Sequence, residues 1–176
     1  MTRLVSLPLL FLALVVTACS SIETSYDYDL QADFGALKSY AWIDPPQGES
    51  ANELSYRRVV SSTDEVLAQK GFRLDPSAPD FLVAAHLGTE SQLSVTDWGY
   101  GYRRGPGSYG AREIEVNEYD VGTLVLDVVQ AATKELLWRG TAQGTIDPGA
   151  KPEERTKRIQ AAVEELLSQF PPTAAR

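Results

Sequence analysis

The chain has few of the residues that build reactive sites: it contains one cysteine, one histidine and one methionine among 176 residues. A single cysteine excludes an intramolecular disulfide framework, and a single histidine excludes zinc sites built from several imidazoles. The sequence also lacks a glycine-rich loop between a strand and a helix, and a serine or cysteine in a recognisable nucleophile elbow. We therefore predict no cofactor, no metal site and no catalytic residue.

Long apolar runs are also scarce, and the longest one lies at the N-terminus. The uncharged stretch from Leu4 to Val16 is shorter than the roughly 18 to 20 residues that a bilayer-spanning helix needs. It follows the positively charged start Met1-Thr2-Arg3 and leads through Thr17-Ala18 into Cys19. A charged start, a short apolar middle and small residues at the end are typical of a secretory signal peptide. The run Val-Thr-Ala-Cys is also similar to the bacterial lipobox, in which the cysteine is lipidated and becomes the new N-terminus.

The lipobox similarity predicts a signal peptide at residues 1–18 and a lipidated tether at residues 19–25, with Cys19 as the lipidation site. Lipidation would consume a thiol that is otherwise a liability in an oxidising compartment. The alternative is an ordinary signal peptide with an incidental cysteine nearby. In similar enterobacterial lipoproteins an aspartate after the cysteine marks inner-membrane retention, so Ser20 favours the outer membrane, facing the periplasm. The predicted partner is therefore the membrane, reached through the lipid anchor.

Acidic residues outnumber basic residues by 24 to 16, which gives a net charge of −8 and a pI near 4.7. Removal of the signal peptide takes away Arg3 and lowers the net charge to −9. This charge argues against nucleic acid as a partner and against a polybasic grip on anionic lipid. The hydrophobic content of 43% is that of a folded globule.

Residues 26–172 are predicted to form a single α+β domain, an antiparallel sheet of about five to six strands with two helices packed on one face. Ser50 and Glu53 form a capping box for the first helix, which ends near Gly71. Pro152 begins the second helix and Pro171 follows its end. Alternating segments predict strands at 26–29, 38–43, 81–88, 123–129 and 136–145, with 72–74 as a short strand at most. Residues 173–176 are predicted to be a flexible tail.

A glycine-rich segment at residues 98–110 is predicted to be the tip of a long hairpin. Leu93 and Val95 alternate on the way out, and Ile114 and Val116 alternate on the way back. The tip contains aromatic and cationic residues of the types that dominate contact hot spots. These candidates for a binding loop are Trp98, Tyr100, Tyr102, Arg103, Arg104 and Tyr109. The alternative is a low-complexity connection without a ligand.

The titratable residues give no assembled catalytic set. His86 alternates away from Phe81 and Val83 on its strand, so we predict a structural role. A glycosidase needs two carboxylates about 5 to 10 Å apart. The acidic residues considered for such a pair are Glu113, Glu115, Glu118, Asp120 and Asp127. Because these acids alternate with apolar residues, we expect them to point to solvent, and we expect His86 to have no acidic or hydroxyl neighbour. Asp80 is predicted to accept hydrogen bonds where its strand begins.

A series of short motifs occurs in order along the chain. They are Tyr26-Asp27-Tyr28-Asp29, Asp33-Phe34, Tyr40-Ala41-Trp42, Pro79-Asp80-Phe81-Leu82-Val83, Gly122-Thr123-Leu124-Val125-Leu126-Asp127, Leu137-Trp138-Arg139-Gly140 and Phe170-Pro171-Pro172. Together they resemble the bacterial lipoproteins grouped as domain of unknown function 4136, over nearly the whole mature chain. The resemblance implies an envelope-anchored α+β domain, and it supplies no catalytic residues.

We therefore expect an envelope-anchored bacterial lipoprotein that acts as a non-enzymatic accessory or interaction module. The alternative is a binder of cell-wall or lipopolysaccharide components through the aromatic and arginine residues of the 98–110 loop. A hydrolase is less favoured. Val125 and Val129 alternate away from Leu124 and Leu126, so we also expect apolar area on the second face of the sheet, of the kind that marks contacts.

Overall fold

The computed structural model describes residues 22–43, 53–97 and 114–172, with the backbone alone at 93–97 and 114–118. The strands are β1 (Glu23–Tyr28), β2 (Ser39–Trp42), β3 (Arg73–Leu74), β4 (Phe81–Asp97), β5 (Ile114–Gln130) and β6 (Leu136–Ile146). The α-helices are α1 (Glu53–Gln69) and α2 (Pro152–Ser168), and a 3₁₀ helix spans Phe34–Ala36. The predicted α+β class is confirmed. The predicted signal peptide, the hairpin tip and the tail at 173–176 lie outside the described residues.

The six strands form one mixed sheet in the order β1-β6-β5-β4-β2-β3. The pairs β1–β6, β6–β5 and β5–β4 are antiparallel, as predicted. However, β2 runs parallel to both β3 and β4, which corrects the prediction of an antiparallel sheet. The reason is that α1 separates β2 from β3 and β4. A crossover through a helix returns the chain in the same direction, whereas a tight turn reverses it.

Both helices cover the same face of the sheet, as predicted. Alternate side chains of the central strands are buried on this face, namely Phe81, Val83, Ala85, Leu124, Leu126 and Val128. Val59 and Leu67 of α1 are buried in the same core, and so are Val163 and Leu166 of α2. Since α1 also contacts α2, the helices and the sheet enclose one continuous core.

The ends of the helices follow the sequence signals. After α1, Gly71 has φ +90°, which glycine adopts more readily than other residues. The Gly71 N–H donates to the Ala68 carbonyl at 3.0 Å and the Phe72 N–H donates to the Leu67 carbonyl at 2.9 Å. These two bonds make the Schellman motif that terminates α1. The predicted capping partner at residue 50 lies outside the described residues.

Strands β4 and β5 continue beyond the rest of the sheet as a two-stranded ribbon. The pairing of β6 with β5 begins at Asp120, whereas β4 and β5 stay paired as far as Asp97 and Ile114. The two arms of the predicted hairpin therefore pair antiparallel, each as one continuous strand.

Trp138 of β6 is fully buried beneath α2, with its ring centroid 5.4 Å from that of Phe170. Trp138 is therefore a central residue of the core. Gly140 makes this packing possible, because a Cβ atom there would collide with the Trp138 ring and would lie 2.7 Å from Leu166 Cδ1. The missing side chain lets α2 lie close to the sheet at this point.

Candidate functional site

A cavity of about 400 Å³ lies between the helices and the sheet, at the end from which the ribbon projects. Its floor forms where small residues take the core-facing positions of β5 and β6. Gly122 continues the alternation of the buried Leu124, and Gly144 continues that of the buried Ala142. Gly122 also lies directly opposite Gly144 in the strand register. The two glycines therefore leave this part of the core-facing surface without side chains of its own.

The two floor glycines differ in the room above them. A Cβ atom at Gly122 would lie 3.0 Å from Ile146 Cδ1, so the Ile146 side chain already covers this position. A Cβ atom at Gly144 would have Ile22 Cγ1 as its nearest described neighbour, at 4.0 Å. Position 144 therefore has room for a larger side chain that extends into the cavity.

The walls of the cavity are mainly apolar and come from both helices and from three strands. They include Val59, Leu87, Leu124, Ile146, Ile159 and Ala162. Val59 is fully buried at the α1 side, and Ile159 and Ala162 are partly buried at the α2 side. A recess of this size and lining is typical of small-molecule sites in proteins, which are concave and mostly apolar with a few polar groups.

Two arginines of α2 give the rim of the cavity a positive charge. Arg158 Nη1 donates to the Thr145 carbonyl at 3.1 Å, while Arg155 donates from Nε to the Ala150 carbonyl at 3.0 Å and from Nη2 to the Pro148 carbonyl at 2.7 Å. Asp147 also lines the cavity, and its carboxylate accepts from the Gly149 N–H at 2.8 Å. The backbone carbonyls hold both guanidinium groups in place beside an apolar recess.

The opposite face of the sheet carries an ion pair whose carboxylate is buried. Arg139 Nε donates to Asp127 Oδ1 and Arg139 Nη2 donates to Asp127 Oδ2, each at 2.6 Å. Asp127 is 6% exposed, and its carboxylate raises the pKa of the Arg139 guanidinium by hydrogen bonding and charge attraction. His86 Nε2 lies 3.8 Å from Asp127 Oδ2, which is too long for a hydrogen bond. Both carboxylate oxygens therefore serve the ion pair.

These positions correct two expectations about the titratable residues. Asp127 is buried and paired rather than solvated, because Arg139 stands directly opposite it in the register. His86 does have an acidic neighbour. Asp127 pairs with Ala84, and Ala84 precedes His86 on the same face of β4, so the Asp127 carboxylate lies beside His86. Asp120 is partly buried and accepts from the Ser91 hydroxyl at 2.6 Å.

The remaining acids of that set lie at positions 113, 115 and 118, whose side chains are outside the described part of the chain. Over the described part, no three His, Cys, Asp or Glu residues are grouped as metal ligands would be. Of the described acids in that set, Asp127 forms an ion pair with Arg139 and Asp120 accepts a hydrogen bond from Ser91.

Asp80 has the structural role that its position predicts. Its Oδ2 accepts from the Lys38 N–H and the Ser39 N–H, both at 2.9 Å, and from the Ser39 hydroxyl at 3.0 Å. The two backbone N–H bonds and the hydroxyl bond lower the pKa of Asp80 below its ordinary value. The carboxylate thus ties the start of β4 to the start of β2, at the parallel junction of the sheet.

The residues around the cavity are not among those that the sequence predicts as a site. Cys19 and the six loop candidates from Trp98 to Tyr109 lie outside the described residues. The cavity residues have a weak signal in the sequence, namely glycine and alanine at core-facing positions of two adjacent strands. That signal becomes readable only when the register places Gly122 opposite Gly144. No helix in the described ranges has both the length and the apolar character needed to cross a membrane.

Solved structures with a similar fold come from several bacteria. A PDZ domain protein from Parabacteroides distasonis is 16% identical with a TM-score of 0.57, over 86% of this chain and 35% of that chain. This chain therefore spans about a third of that protein's length, and the likeness shows the fold alone. The PelC dodecamer from Paraburkholderia phytofirmans is 12% identical over 84% of this chain and 96% of that chain, with a TM-score of 0.48.

A putative neuraminyllactose-binding hemagglutinin homolog from Helicobacter pylori is 11% identical over 79% of this chain and 88% of that chain, with a TM-score of 0.42. At TM-scores below 0.5 this structure and the PelC dodecamer carry no functional argument. A search of the curated proteins found no match.

The family comparison covers the whole described domain. The model of one family matches residues 24–172, from β1 to the end of the segment that follows α2. This match confirms the resemblance that the short motifs indicate. The chain therefore belongs to the family described as Domain of unknown function (DUF4136).

Proposed function

We propose that this protein is a non-enzymatic binding module, anchored to the bacterial envelope through a lipid on Cys19 and facing the periplasm from the outer membrane. The observation that carries the binding role is the apolar cavity with arginines at its rim. Such a recess offers shape and charge to a ligand. The described groups best suited to chemistry, Asp127 and His86, lie on the opposite face, where Asp127 is held by Arg139. This separation supports binding rather than catalysis.

The anchor is tested by mass spectrometry of the N-terminal peptide of the protein purified from bacterial membranes. We expect a peptide that begins at Cys19 and carries the mass of a diacylglycerol thioether. We expect Cys19→Ala to accumulate as an uncleaved precursor, because the lipoprotein signal peptidase acts on a lipidated cysteine. A matched control, Ser21→Ala, should be processed like the wild-type protein. An unmodified Cys19 or a retained Met1 in the wild-type protein would remove the anchor from the proposal.

The non-enzymatic role is tested by incubating the protein with purified peptidoglycan and with lipopolysaccharide. We expect no soluble fragments to be released above the buffer control. If fragments were released by the wild-type protein and not by His86→Ala or Asp127→Asn, the binding proposal would give way to a hydrolase. Circular dichroism of both variants would establish that they are folded.

The ribbon supports a second candidate function, recognition of cell-wall or lipopolysaccharide components by the 98–110 loop. Beyond Asp120 the described parts of β4 and β5 pair only with each other, and the loop lies between these two strands in the sequence. The test replaces the six aromatic and arginine residues of the loop with serine and measures cosedimentation with peptidoglycan and lipopolysaccharide. Binding that survives this replacement would exclude the loop. A control with Arg73→Ser and Leu74→Ser, both exposed on β3, should bind like the wild-type protein.

A further inference from the structure

We propose that the cavity binds one acyl chain of an anionic amphiphile, with the carboxylate or phosphate head at Arg155 and Arg158. This inference rests on the proposed function in that the protein acts by binding. It goes further by assigning the ligand class and the residues. The apolar tail and the negative head are each recognised by a separate part of the site.

The lining selects the tail. The cavity walls are formed by aliphatic side chains from α1, α2 and the sheet, and the floor by the Gly122–Gly144 pair. A sugar or another polar ligand would lose hydrogen bonds to water in this recess without replacing them. The volume of about 400 Å³ lies near the lower end of the range for ligand sites. These properties favour a single acyl chain over a bulky two-chain lipid.

The rim selects the head. Arg155 and Arg158 lie three residues apart on α2, so their side chains leave the helix on the same side. Guanidinium groups stay charged and have the fork geometry that matches carboxylate and phosphate. Two of the five N–H groups of Arg155 are used by the Pro148 and Ala150 carbonyls, and these bonds hold the group in position. Asp147 opposes an anion, but among the described residues that line the cavity two positive charges accompany one negative charge.

The rim is positively charged, whereas the whole chain has a net charge of −8. A ligand held by its acyl chain alone would not need cationic groups there. The protein's own lipid is an alternative occupant, because Ile22 lines the cavity and lies three residues after Cys19. Three residues reach at most about 11 Å. However, a diacylglycerol thioether has no negative charge for the two arginines to bind. A separate anionic amphiphile satisfies both parts of the site.

The test uses the full chain in bacterial membranes and two photoreactive probes in parallel. One arm receives palmitate with a diazirine in its chain, and the other receives lysophosphatidylglycerol with the same diazirine. After irradiation, labelled peptides are identified by mass spectrometry. We expect label on the segments that contain Ile146 and Ile159–Ala162. The arm with the stronger label identifies whether the natural ligand is a free fatty acid or a phospholipid.

Variants of the floor separate occupancy of the cavity from surface labelling. Gly144→Leu should reduce labelling at least about tenfold, because the new side chain fills the space that the acyl chain needs. Gly144→Ala adds only a Cβ atom at ordinary contact distance and should stay within about twofold of the wild-type protein. Thermal melting of each variant establishes that it is folded. If Gly144→Leu does not fold, Ala162→Leu fills the cavity from α2 instead.

Variants of the rim test the head. Arg158→Gln should reduce labelling by both probes about tenfold, as expected for the loss of one charged hydrogen bond. Arg158→Lys keeps the charge but not the fork of N–H donors, so it should restore part of the labelling. Arg73→Gln, which changes an exposed arginine outside the cavity, should leave the labelling unchanged. Equal labelling of the wild-type protein and Gly144→Leu would overturn the proposal. So would labelling that appears only in Cys19→Ala, which would assign the cavity to the protein's own lipid.

The anchor is measured in the same samples by sedimentation with membranes. If the wild-type protein does not sediment with membranes, the proposed lipid anchor is wrong. The comparison of labelling between Gly144→Leu and Gly144→Ala still tests whether the cavity binds the ligand. If the protein sediments and the two variants are labelled equally, the proposed ligand is wrong and the proposed anchor is supported.

Discussion

Arg139 of β6 donates two hydrogen bonds of 2.6 Å to Asp127 of β5, on the face of the sheet that neither helix covers. The Asp127 side chain is 8% exposed, whereas the Arg139 side chain is 52% exposed. The guanidinium therefore shields the carboxylate from water while staying partly hydrated itself. The loss of protein stability should therefore depend on which of the two residues is replaced.

Arg139→Met should destabilise the protein more than Asp127→Asn. The first variant leaves a shielded carboxylate without its cation, whereas the second removes the charge that needs a partner. We expect a loss of about 1 to 3 kcal/mol for Arg139→Met, below the value for a fully buried pair because Arg139 is half exposed. Urea denaturation measures both variants and the double variant. If the losses of the single variants add in the double variant, the two residues are not coupled.

Asp80→Asn should make the stability of the protein less dependent on acidic pH. The pKa of Asp80 is lowered in the folded state, so its charge stabilises the fold above its unfolded pKa of about 3.9. That contribution is lost as the pH falls through the folded pKa. At neutral pH we expect the variant to melt about 2 °C lower, a small effect because the carboxylate is exposed.

Melting curves from pH 7 to about pH 3 check the Asp80 prediction. The gap between the curves of wild-type protein and Asp80→Asn should narrow toward the acidic end. Ser39→Ala serves as a matched variant, since it removes the hydroxyl donor and keeps both backbone donors to Asp80. It should retain most of the pH dependence. A constant gap between wild-type protein and Asp80→Asn at every pH would contradict the role of the charge.

Asp64 should hold β2 to α1 through two side chains of the strand. Its Oδ1 accepts from the Tyr40 hydroxyl at 2.7 Å and from Trp42 Nε1 at 2.9 Å. Asp64→Ala leaves the buried Tyr40 hydroxyl without this acceptor and should cost about 1 to 3 kcal/mol, whereas Tyr40→Phe should cost about 1 kcal/mol. In urea denaturation, the double variant should lose less free energy of unfolding than the two single variants lose together. A full sum would show that Tyr40 does not depend on Asp64.

The sequence predicts the faces and ends of the elements well, because these depend on local chemistry. The start of α2 at Pro152 and the left-handed Gly71 after α1 follow from the conformational limits of proline and glycine. Likewise, the alternation of Phe81, Val83 and Ala85 identifies the buried face of β4. Each of these signals lies within a few residues of the feature that it predicts.

Pairing between distant segments was harder to predict, since a period of two gives the face of a strand and not its neighbour or direction. The parallel β2 and the ion pair of Asp127 with Arg139 both depend on such pairing. The cavity does too. Gly122 and Gly144 are unremarkable apart in the sequence and form a floor only when the register places them opposite each other.

Gly140 provides a test of the close contact between β6 and α2, the helix that carries the two arginines of the cavity rim. Gly140→Ala should destabilise the protein by about 1 to 3 kcal/mol, because the new Cβ atom forces apart tightly packed groups. Trp138 is fully buried there and has little freedom to move. The matched control is Gly88→Ala, where a Cβ atom would meet nothing described within 4 Å. Urea denaturation should show a change within about 0.5 kcal/mol for this control. Equal losses in both variants would attribute the effect to the loss of a strand glycine in general, whereas a loss confined to Gly140→Ala would locate it at the contact between β6 and α2.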